Sequence, residues 1–179
     1  MPEKRNLHRP FHLELENEFY FLTGRLYSDS KVFYKNSNKD IFLNLLFDKI
    51  KIFDYQIFTF AVLLNHYHLL LKINKKPISD FINQLQGSSS FIINRIESRQ
   101  GRKNFYQYWD WCIRNEADFY KHFNYINQNP IKHGLVKNLE ELVNYKYCGY
   151  KYLVEKNGEE FVFDCFYYYP IGELNIKDY

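Results

Sequence analysis

The sequence predicts an α+β fold: a ferredoxin-like (split βαβ) sandwich in which an antiparallel sheet carries helices on one face. Strand-like runs rich in aromatic and β-branched residues alternate with helix-period segments in the order β-α-β-β-α-β-α. Two of the strand-like runs are separated by a single turn residue, Asn65, which indicates a hairpin. The composition, 46% hydrophobic and 25% charged, is typical of a soluble globular protein.

The first half of the chain supplies three strands and a helix. Glu18–Tyr27 is rich in aromatic residues and ends in the turn sequence SDSK, so it is predicted to be a strand. Apolar residues in Asn38–Phe53 recur at the spacing of an amphipathic helix. Two further strands, Tyr55–Leu64 and His66–Ile73, flank Asn65 and form the predicted hairpin.

The second half supplies two helices and a strand. Pro77 is typical of a helix start, and Ile78–Gly101 follows it as a predicted helix with a candidate break at Gly87. Phe105–Arg114 is a predicted strand. Asn115–Pro130 has the signature of a helix, with an asparagine N-cap, acidic residues in the first turn and a proline that closes it.

Charge and cysteine usage narrow the class of protein. Residues 1–150 carry 21 Lys and Arg against 15 Asp and Glu, whereas residues 151–179 carry 3 against 6. A mildly basic body permits a polyanionic partner, although an ordinary solvated surface is the plainer interpretation of the charge alone. Three widely spaced cysteines without a C-x-x-C pair argue against a disulfide framework or a structural zinc site. With no secretory signal and no apolar run of membrane length, we expect a cytoplasmic protein.

A pair of histidines lies in the otherwise apolar run FAVLLNHYHLLLKI. In a strand, residues i and i+2 point to the same face, so His66 and His68 project together while Tyr67 points the other way. Neutral imidazoles are common ligands of divalent metals. The plainer interpretation is two histidines on an exposed sheet face that bond to neighbours or water.

A tyrosine on the last predicted helix is the second candidate. Phe119, Phe123 and Ile126 fall on one apolar stripe of Asn115–Asn129, and Tyr125 is predicted to lie away from it. Asn129 follows one turn later on the same face as Tyr125. Two imidazoles and a carboxamide oxygen would leave a divalent cation open positions for a phosphodiester oxygen, with Tyr125 as the nucleophile. A surface tyrosine beside a helix-ending Asn-Pro is the plainer alternative.

Together these residues resemble the single-tyrosine HUH transposases, and in particular the REP-associated tyrosine transposases of the IS200-like group. The likeness rests on Asn65-His66-Tyr67-His68, on the segment Trp109–Arg114, on Tyr125–Gly134 and on a closing segment, Tyr145–Leu153. Three positions depart from the family pattern: Leu64 replaces a proline, Tyr67 is bulky, and Trp111 replaces a common histidine.

The resemblance implies a domain of the HUH endonuclease/transposase type at residues 15–153, followed by an acidic extension at residues 154–179. It implies that His66, His68 and Asn129 bind a divalent cation, Mg or Mn, and that Tyr125 is the nucleophile. The implied activity is metal-dependent nicking and strand transfer of single-stranded DNA, beside a folded hairpin, through a covalent phosphotyrosine. The apolar centre of the extension, Phe161–Tyr169, is strand-like and is expected either to add an edge strand or to cover the site.

A basic cluster near the end of the second helix is the candidate DNA contact, formed by Arg95, Arg99, Arg102 and Lys103. Aromatic residues that follow it can stack on unpaired bases or pack in the core: Tyr106, Tyr108, Trp109 and Trp111.

Three other functions stay open. A non-catalytic hairpin-binding protein could use the same scaffold, and a hydrolase of small phosphoesters could use the same metal. A rolling-circle nickase would commonly have two tyrosines, but here Tyr120 falls on the core stripe. The sequence leaves monomer and homodimer equally open.

Overall fold

The computed structural model describes residues 18–173, and its centre is a four-stranded antiparallel sheet. The strand order is β2-β3-β1-β4, and each neighbouring pair is antiparallel. The two central strands are therefore the first and third in sequence, which is the order of a split βαβ sandwich and confirms the predicted fold class. The strands are β1 Phe19–Leu26, β2 Gln56–Val62, β3 His66–Lys72 and β4 Phe105–Cys112.

Two helices connect the strands and cover one face of this sheet. They bury alternate residues of the strands, including Tyr20, Leu22, Tyr67 and Leu69, in one hydrophobic core. Gly24 belongs to this face, and a Cβ there would overlap the ring of Tyr67 on the neighbouring strand. The two helices are α1 Asn36–Phe53 and α2 Ile78–Ile96.

The opposite face, which the sequence left open, is covered over β2 and β3. A third helix packs across β2 and β3 and forms a second core with Phe21, Leu70 and Ile126. Shorter helices extend this layer. The elements of the layer are α3 Glu116–Lys132, α4 Leu139–Val143, α5 Tyr150–Asn157 and α6 Glu159–Tyr168.

The structure confirms one predicted helix boundary, the start of α3, and differs from two other predictions, the end of α3 and the break in α2. The Asn115 side chain accepts a hydrogen bond from the backbone N–H of Asp118 at 2.9 Å, which confirms the predicted N-cap of α3. Pro130 does not close α3, which continues to Lys132, because a proline in the last turns removes only one intrahelical hydrogen bond. Helix α2 also runs unbroken through Gly87.

The C-terminal segment differs from its strand-like prediction. Phe161–Tyr168 is helical within α6, which buries Val162 and Cys165 at helical spacing against the back of α3. The exposed edge of β2 is instead bonded by the preceding segment: the Val62 N–H donates to Tyr147 O, and the Gly149 N–H donates to Phe60 O. A Cβ at Gly149 would lie 2.7 Å from Thr59 Oγ1, so only glycine allows this close approach.

Helix α5 runs across the division at residue 153, so the separation of an extension at residues 154–179 stays a prediction. Within residues 18–173, no helix combines the length and apolar character that a membrane crossing requires.

Candidate active site

His66 and His68 lie side by side on the α3 face of strand β3. Their ring centroids are 4.8 Å apart, and both side chains are buried, with His68 at 0% exposure. Tyr67 points to the opposite core, where its hydroxyl accepts a hydrogen bond from Gln86 Nε2 at 2.9 Å. The strand alternation predicted for this motif is therefore present, but the histidines are covered by α3 instead of facing solvent.

Hydrogen bonds at Nδ1 orient both imidazoles. His66 Nδ1 lies 2.7 Å from the side-chain oxygen of Asn65, which can only accept, so the Nδ1 of His66 carries the proton and donates. His68 Nδ1 lies 2.8 Å from Thr23 Oγ1 on the neighbouring strand. With Nδ1 occupied in this way, Nε2 of His66 keeps its lone pair, which is the arrangement typical of a metal-binding histidine.

Burial also keeps His68 neutral. It lowers the pKa of His68 well below the usual value, and the neighbouring charges of His66, His133 and Lys132 act in the same direction. A neutral imidazole is the form that binds a metal ion.

Helix α3 places a row of polar residues over the two histidines. Tyr125, Asn129 and His133 follow one another at intervals of four residues and therefore share one helix face. The Tyr125 ring centroid lies 5.3 Å from that of His68, and the His133 ring centroid lies 5.0 Å from that of His66. Asn129 lies between these two contacts along the helix, so its amide is placed close to the histidine pair.

Asn129 has an unusual environment for a carboxamide. Its side chain is 0% exposed, and neither its oxygen nor its nitrogen has a hydrogen-bond partner among residues 18–173. Leaving a buried amide unsatisfied costs roughly 1–3 kcal/mol, so a residue of this kind indicates a missing partner. A cation bound by the amide oxygen would satisfy one of its two polar atoms.

Tyr125 is buried, contrary to the prediction that it lies away from the core. Only 3% of its surface is exposed, because its ring packs on the sheet side of α3 against His68 and Phe21, in the same core as Phe123 and Ile126. On the α6 side, the Asn124 amide donates to Cys165 O and to Tyr169 O at 2.6 and 2.7 Å, and Tyr120 stacks on the Tyr169 ring. Helical phase identified the residues that share a face with Tyr125, but it could not show that the sheet covers this face as well as the apolar stripe.

Three further groups that the sequence did not single out belong to this site. Phe21 on β1 lies beneath both rings, since its ring contacts those of His68 at 5.3 Å and Tyr125 at 6.0 Å. The Lys132 ammonium lies 5.0 Å from the Tyr125 ring centroid. Thr23 contributes its hydrogen bond to His68. Only the strand register, which the sequence does not contain, places Phe21 and Thr23 here.

His122 forms a separate pair with Asp118 at the edge of the site. Its Nδ1 donates to the Asp118 backbone oxygen at 2.8 Å and lies 3.1 Å from the carboxylate. Burial lowers the pKa of His122, although Asp118 opposes the shift, so the imidazole is neutral near pH 7. The ring packs on Phe21 at 4.7 Å, so His122 and His68 contact the same phenyl ring.

The basic cluster lies on the α1–α2 side of the sheet. Arg95, Arg99 and Lys103 are exposed, but Arg102 is tied to Asn94 Oδ1 at 3.0 Å and to the Glu97 carboxylate at 2.7 Å. Hydrogen bonds from Lys35, Asn38 and Arg102 lower the pKa of Glu97 to about 2, the one from Lys35 contributing most. Arg99 and Arg102 line a cavity of about 860 Å³, whose wall also includes Lys31, Lys35 and the carboxylates of Asp29 and Glu97.

This cavity and the histidine pair lie at the same end of the sheet. Strand β1 ends where β3 begins, as the hydrogen bond from the Leu26 N–H to Asn65 O at 2.8 Å shows. Helix α1 begins and α2 ends at this same end. The cluster is therefore outside the Tyr125 site, on the other side of the sheet, yet at the end that carries His66.

No group of three or more His, Cys, Asp and Glu side chains in residues 18–173 is arranged to hold a metal ion. The donor set predicted from the sequence is of a different kind, since its third member, Asn129, is a carboxamide.

Comparison with known proteins identifies the family. The family model described as "Transposase IS200 like" matches residues 25–128, more than half of the chain, and the chain belongs to this family. This confirms the transposase resemblance of the sequence and the class of enzyme that it implied.

Two relatives are consistent with that assignment. The REP-associated tyrosine transposase of Escherichia coli (strain K12) is 44% identical over 43 residues, which are 23% of this chain and 26% of that protein. The chain thus matches about a quarter of the length of this curated relative. A solved structure of a REP-associated tyrosine transposase bound to a REP hairpin has the same fold, with a TM-score of 0.70 at 17% identity over 84% of this chain and 87% of that one.

Proposed function

We propose that this protein nicks and transfers single-stranded DNA through a covalent phosphotyrosine at Tyr125. The observation that carries the proposal is the contact, within one chain, between the Tyr125 ring and the ring of His68, with the buried Asn129 amide one helical turn away. Membership of a transposase family supports the same reaction class.

His66, His68 and Asn129 are proposed to hold a divalent cation, Mg or Mn. The fit is supported by the proton that Asn65 fixes on His66 Nδ1, by the neutral state of His68 and by the unsatisfied Asn129 amide. Two nitrogen ligands and one oxygen ligand leave coordination positions for phosphate oxygens. Such a cation would polarise the phosphate and neutralise charge that develops during the reaction.

The covalent step conserves the phosphodiester bond energy. Tyr125 Oη attacks the phosphorus, and a bond from Oη to phosphorus forms as the bond from phosphorus to one bridging sugar oxygen breaks. The phenolic proton passes to solvent, and the departing sugar oxygen takes up one proton from solvent to become a hydroxyl. Attack of a strand hydroxyl on the phosphotyrosine reverses these changes, so the strand is rejoined without ATP.

Arg95, Arg99 and Lys103 are proposed to contact the phosphates of a DNA hairpin, because all three side chains are exposed and Arg99 lines a cavity that Lys31 and Lys35 also border. Arg102 is proposed to support this surface from within, since its guanidinium is already bonded to Asn94 and Glu97. The solved relative bound to a REP hairpin makes a hairpin the first partner to test.

The decisive experiment is covalent trapping on the full chain. Protein is incubated with single-stranded hairpin DNA and Mn²⁺, and denaturing gels and peptide mapping locate any DNA–protein conjugate. We expect a conjugate at Tyr125 in the wild type, none in Tyr125→Phe, and none after chelation with EDTA. Tyr120→Phe, on the same helix but stacked on Tyr169, is the matched control and should still form the conjugate.

The alternatives predict different results. A non-catalytic hairpin-binding protein would bind the DNA equally well as the wild type and as the Tyr125→Phe variant, and it would form no conjugate in either case. A conjugate that maps to another residue would refute the role given to Tyr125.

A further inference from the structure

Half of the sheet face that carries the histidines is not covered by α3. The helix lies over β2 and β3, whereas the residues of β1 and β4 on the same face, apart from the buried Phe21, are partly or largely exposed. Trp111 is the most exposed of these, at 48%. The open surface consists of Thr23, Arg25, Gln107, Trp109 and Trp111, and we call it the β1–β4 surface.

The strand register connects this surface to the histidine pair. His68 lies opposite Thr23, and Thr23 lies opposite Trp109, so the three side chains form one row across the sheet. Neighbouring strands are about 4.8 Å apart, which places Trp109 roughly 9–10 Å from His68. Trp111 belongs to the next row, opposite Phe21.

The two indoles are not explained by core packing, since neither belongs to the two hydrophobic cores formed by residues 18–173. Trp111 is nonetheless held in place. Its Nε1–H donates to the Asp118 carboxylate at 3.2 Å, and its ring is stacked near His122. An anchored indole with about half of its surface exposed is a preformed surface for stacking.

Positive charge accompanies the aromatic rings. Arg25 lies in a row between His66 and Gln107, and the Arg114 guanidinium lies 5.3 Å from the Trp111 ring centroid. The nearby Asp118 carboxylate is already engaged by Trp111, by the Arg114 backbone N–H and by His122. Aromatic faces flanked by cations are typical of surfaces that bind single-stranded nucleic acid.

We propose that the β1–β4 surface binds the unpaired nucleotides next to the scissile phosphate, with bases stacked on Trp109 and Trp111 and phosphates near Arg25 and Arg114. The inference rests on the proposed function, because it takes the phosphate at the histidine pair as its reference point. It assigns the single strand to this surface and leaves the folded hairpin to the basic cluster on the other side of the sheet.

The composition of the chain provides a direct assay. Trp109 and Trp111 are its only tryptophans, so intrinsic tryptophan fluorescence reports on this surface alone. Full-length Tyr125→Phe protein is titrated with an unstructured oligothymidylate and, separately, with a blunt DNA duplex. We expect the single strand to quench the fluorescence and the duplex to leave it nearly unchanged.

Variants test the role of the rings in affinity. Trp111→Ala should weaken single-strand binding at least fivefold, as expected for the loss of one base–aromatic stack. Trp111→Phe should recover much of the loss, which separates stacking from misfolding. Tyr152→Ala is the matched control, because this exposed aromatic lies beside the opposite edge of the sheet, and it should bind as the parent does.

The outcomes separate the two proposals. If wild-type protein forms the Tyr125 conjugate while the single strand neither quenches the fluorescence nor depends on Trp111, the β1–β4 surface is wrong and the proposed function stands. If no conjugate forms but the quenching and the Trp111 dependence are present, the surface binds DNA in a protein that does not cut it. Equal quenching by the blunt duplex would overturn the assignment to unpaired nucleotides.

Discussion

The hydrogen bond between Thr23 and His68 offers a sharp test of the metal site. Thr23→Val removes the hydroxyl 2.8 Å from His68 Nδ1 and replaces it with a methyl group of similar shape that suits a β-strand. In the metal-free protein, His68 can adjust by moving its proton to Nε2. A bound cation requires the Nε2 lone pair, so the proton must then remain on a buried Nδ1 that has lost its acceptor.

Thr23→Val is therefore expected to weaken metal binding. Loss of such an outer hydrogen bond weakens metal affinity about 10- to 100-fold, which is roughly 1.4–2.7 kcal/mol. The affinity is measured by titrating Mn²⁺ into the full chain and following the free ion by electron paramagnetic resonance, with His68→Ala as the variant that should lose binding altogether.

Thr59→Val is the matched control for this experiment. Thr59 is likewise a strand threonine, although it is buried where Thr23 is partly exposed, and its hydroxyl donates to Asn127 Oδ1 at 2.6 Å instead of bonding a site imidazole. It should lower the free energy of unfolding and leave Mn²⁺ affinity unchanged. If Thr23→Val binds Mn²⁺ within twofold of wild type while His68→Ala loses it, the orienting role of Thr23 is refuted. If His68→Ala binds normally, the metal site itself is refuted.

Two further predictions concern the basic side of the sheet. Glu97→Gln should destabilise the fold by about 2 kcal/mol at neutral pH, because the ionised carboxylate bonds Lys35 and Arg102. The folded pKa of Glu97, about 2, lies below the ordinary value of 4.5, so this stabilisation is fully present above pH 4.5 and fades as the pH falls toward 2. Urea unfolding should therefore show a smaller difference in stability between the wild type and Glu97→Gln near pH 3 than at neutral pH. The double variant Arg99→Ala with Lys103→Ala should reduce the salt dependence of hairpin binding by the equivalent of about two phosphate contacts. Arg102→Ala should mainly lower the stability of the fold. An unchanged salt slope in the double variant would show that the cluster is not part of the DNA-binding surface.

The order of elements could be predicted because it depends on local patterns. Strand alternation, the Asn115 cap and the turn at Asn65 each involve a few neighbouring residues, and all three are present. The site depends on contacts between strands. Phe21 and Thr23 reach His68 through the β1–β3 register, which no local pattern in the sequence encodes.

The same limitation explains the prediction for Tyr125. Helical periodicity identifies which residues share a face, but it does not say how many faces are covered. In α3 the sheet covers one side and α6 another, so polar residues such as Asn124 and Asn127 are buried with their amides bonded to backbone or side-chain oxygens. Asn124 lacks a partner only for its side-chain oxygen, whereas both polar atoms of Asn129 lack one within residues 18–173, and that contrast distinguishes Asn129 as a candidate ligand.

The two covering layers also restrict how a substrate can reach Tyr125. The sheet lies beneath its ring, and α3 itself covers β2 and β3, while α6 packs on the back of the helix. The proposed β1–β4 surface lies on the part of this face that α3 leaves open, and its rows lead past Arg25 and the two indoles to the histidine pair. Under the proposed function, a strand bound along these rows would reach the histidine pair beside Tyr125, so the packing of α3 would define the entry path as much as the chemistry of the side chains does.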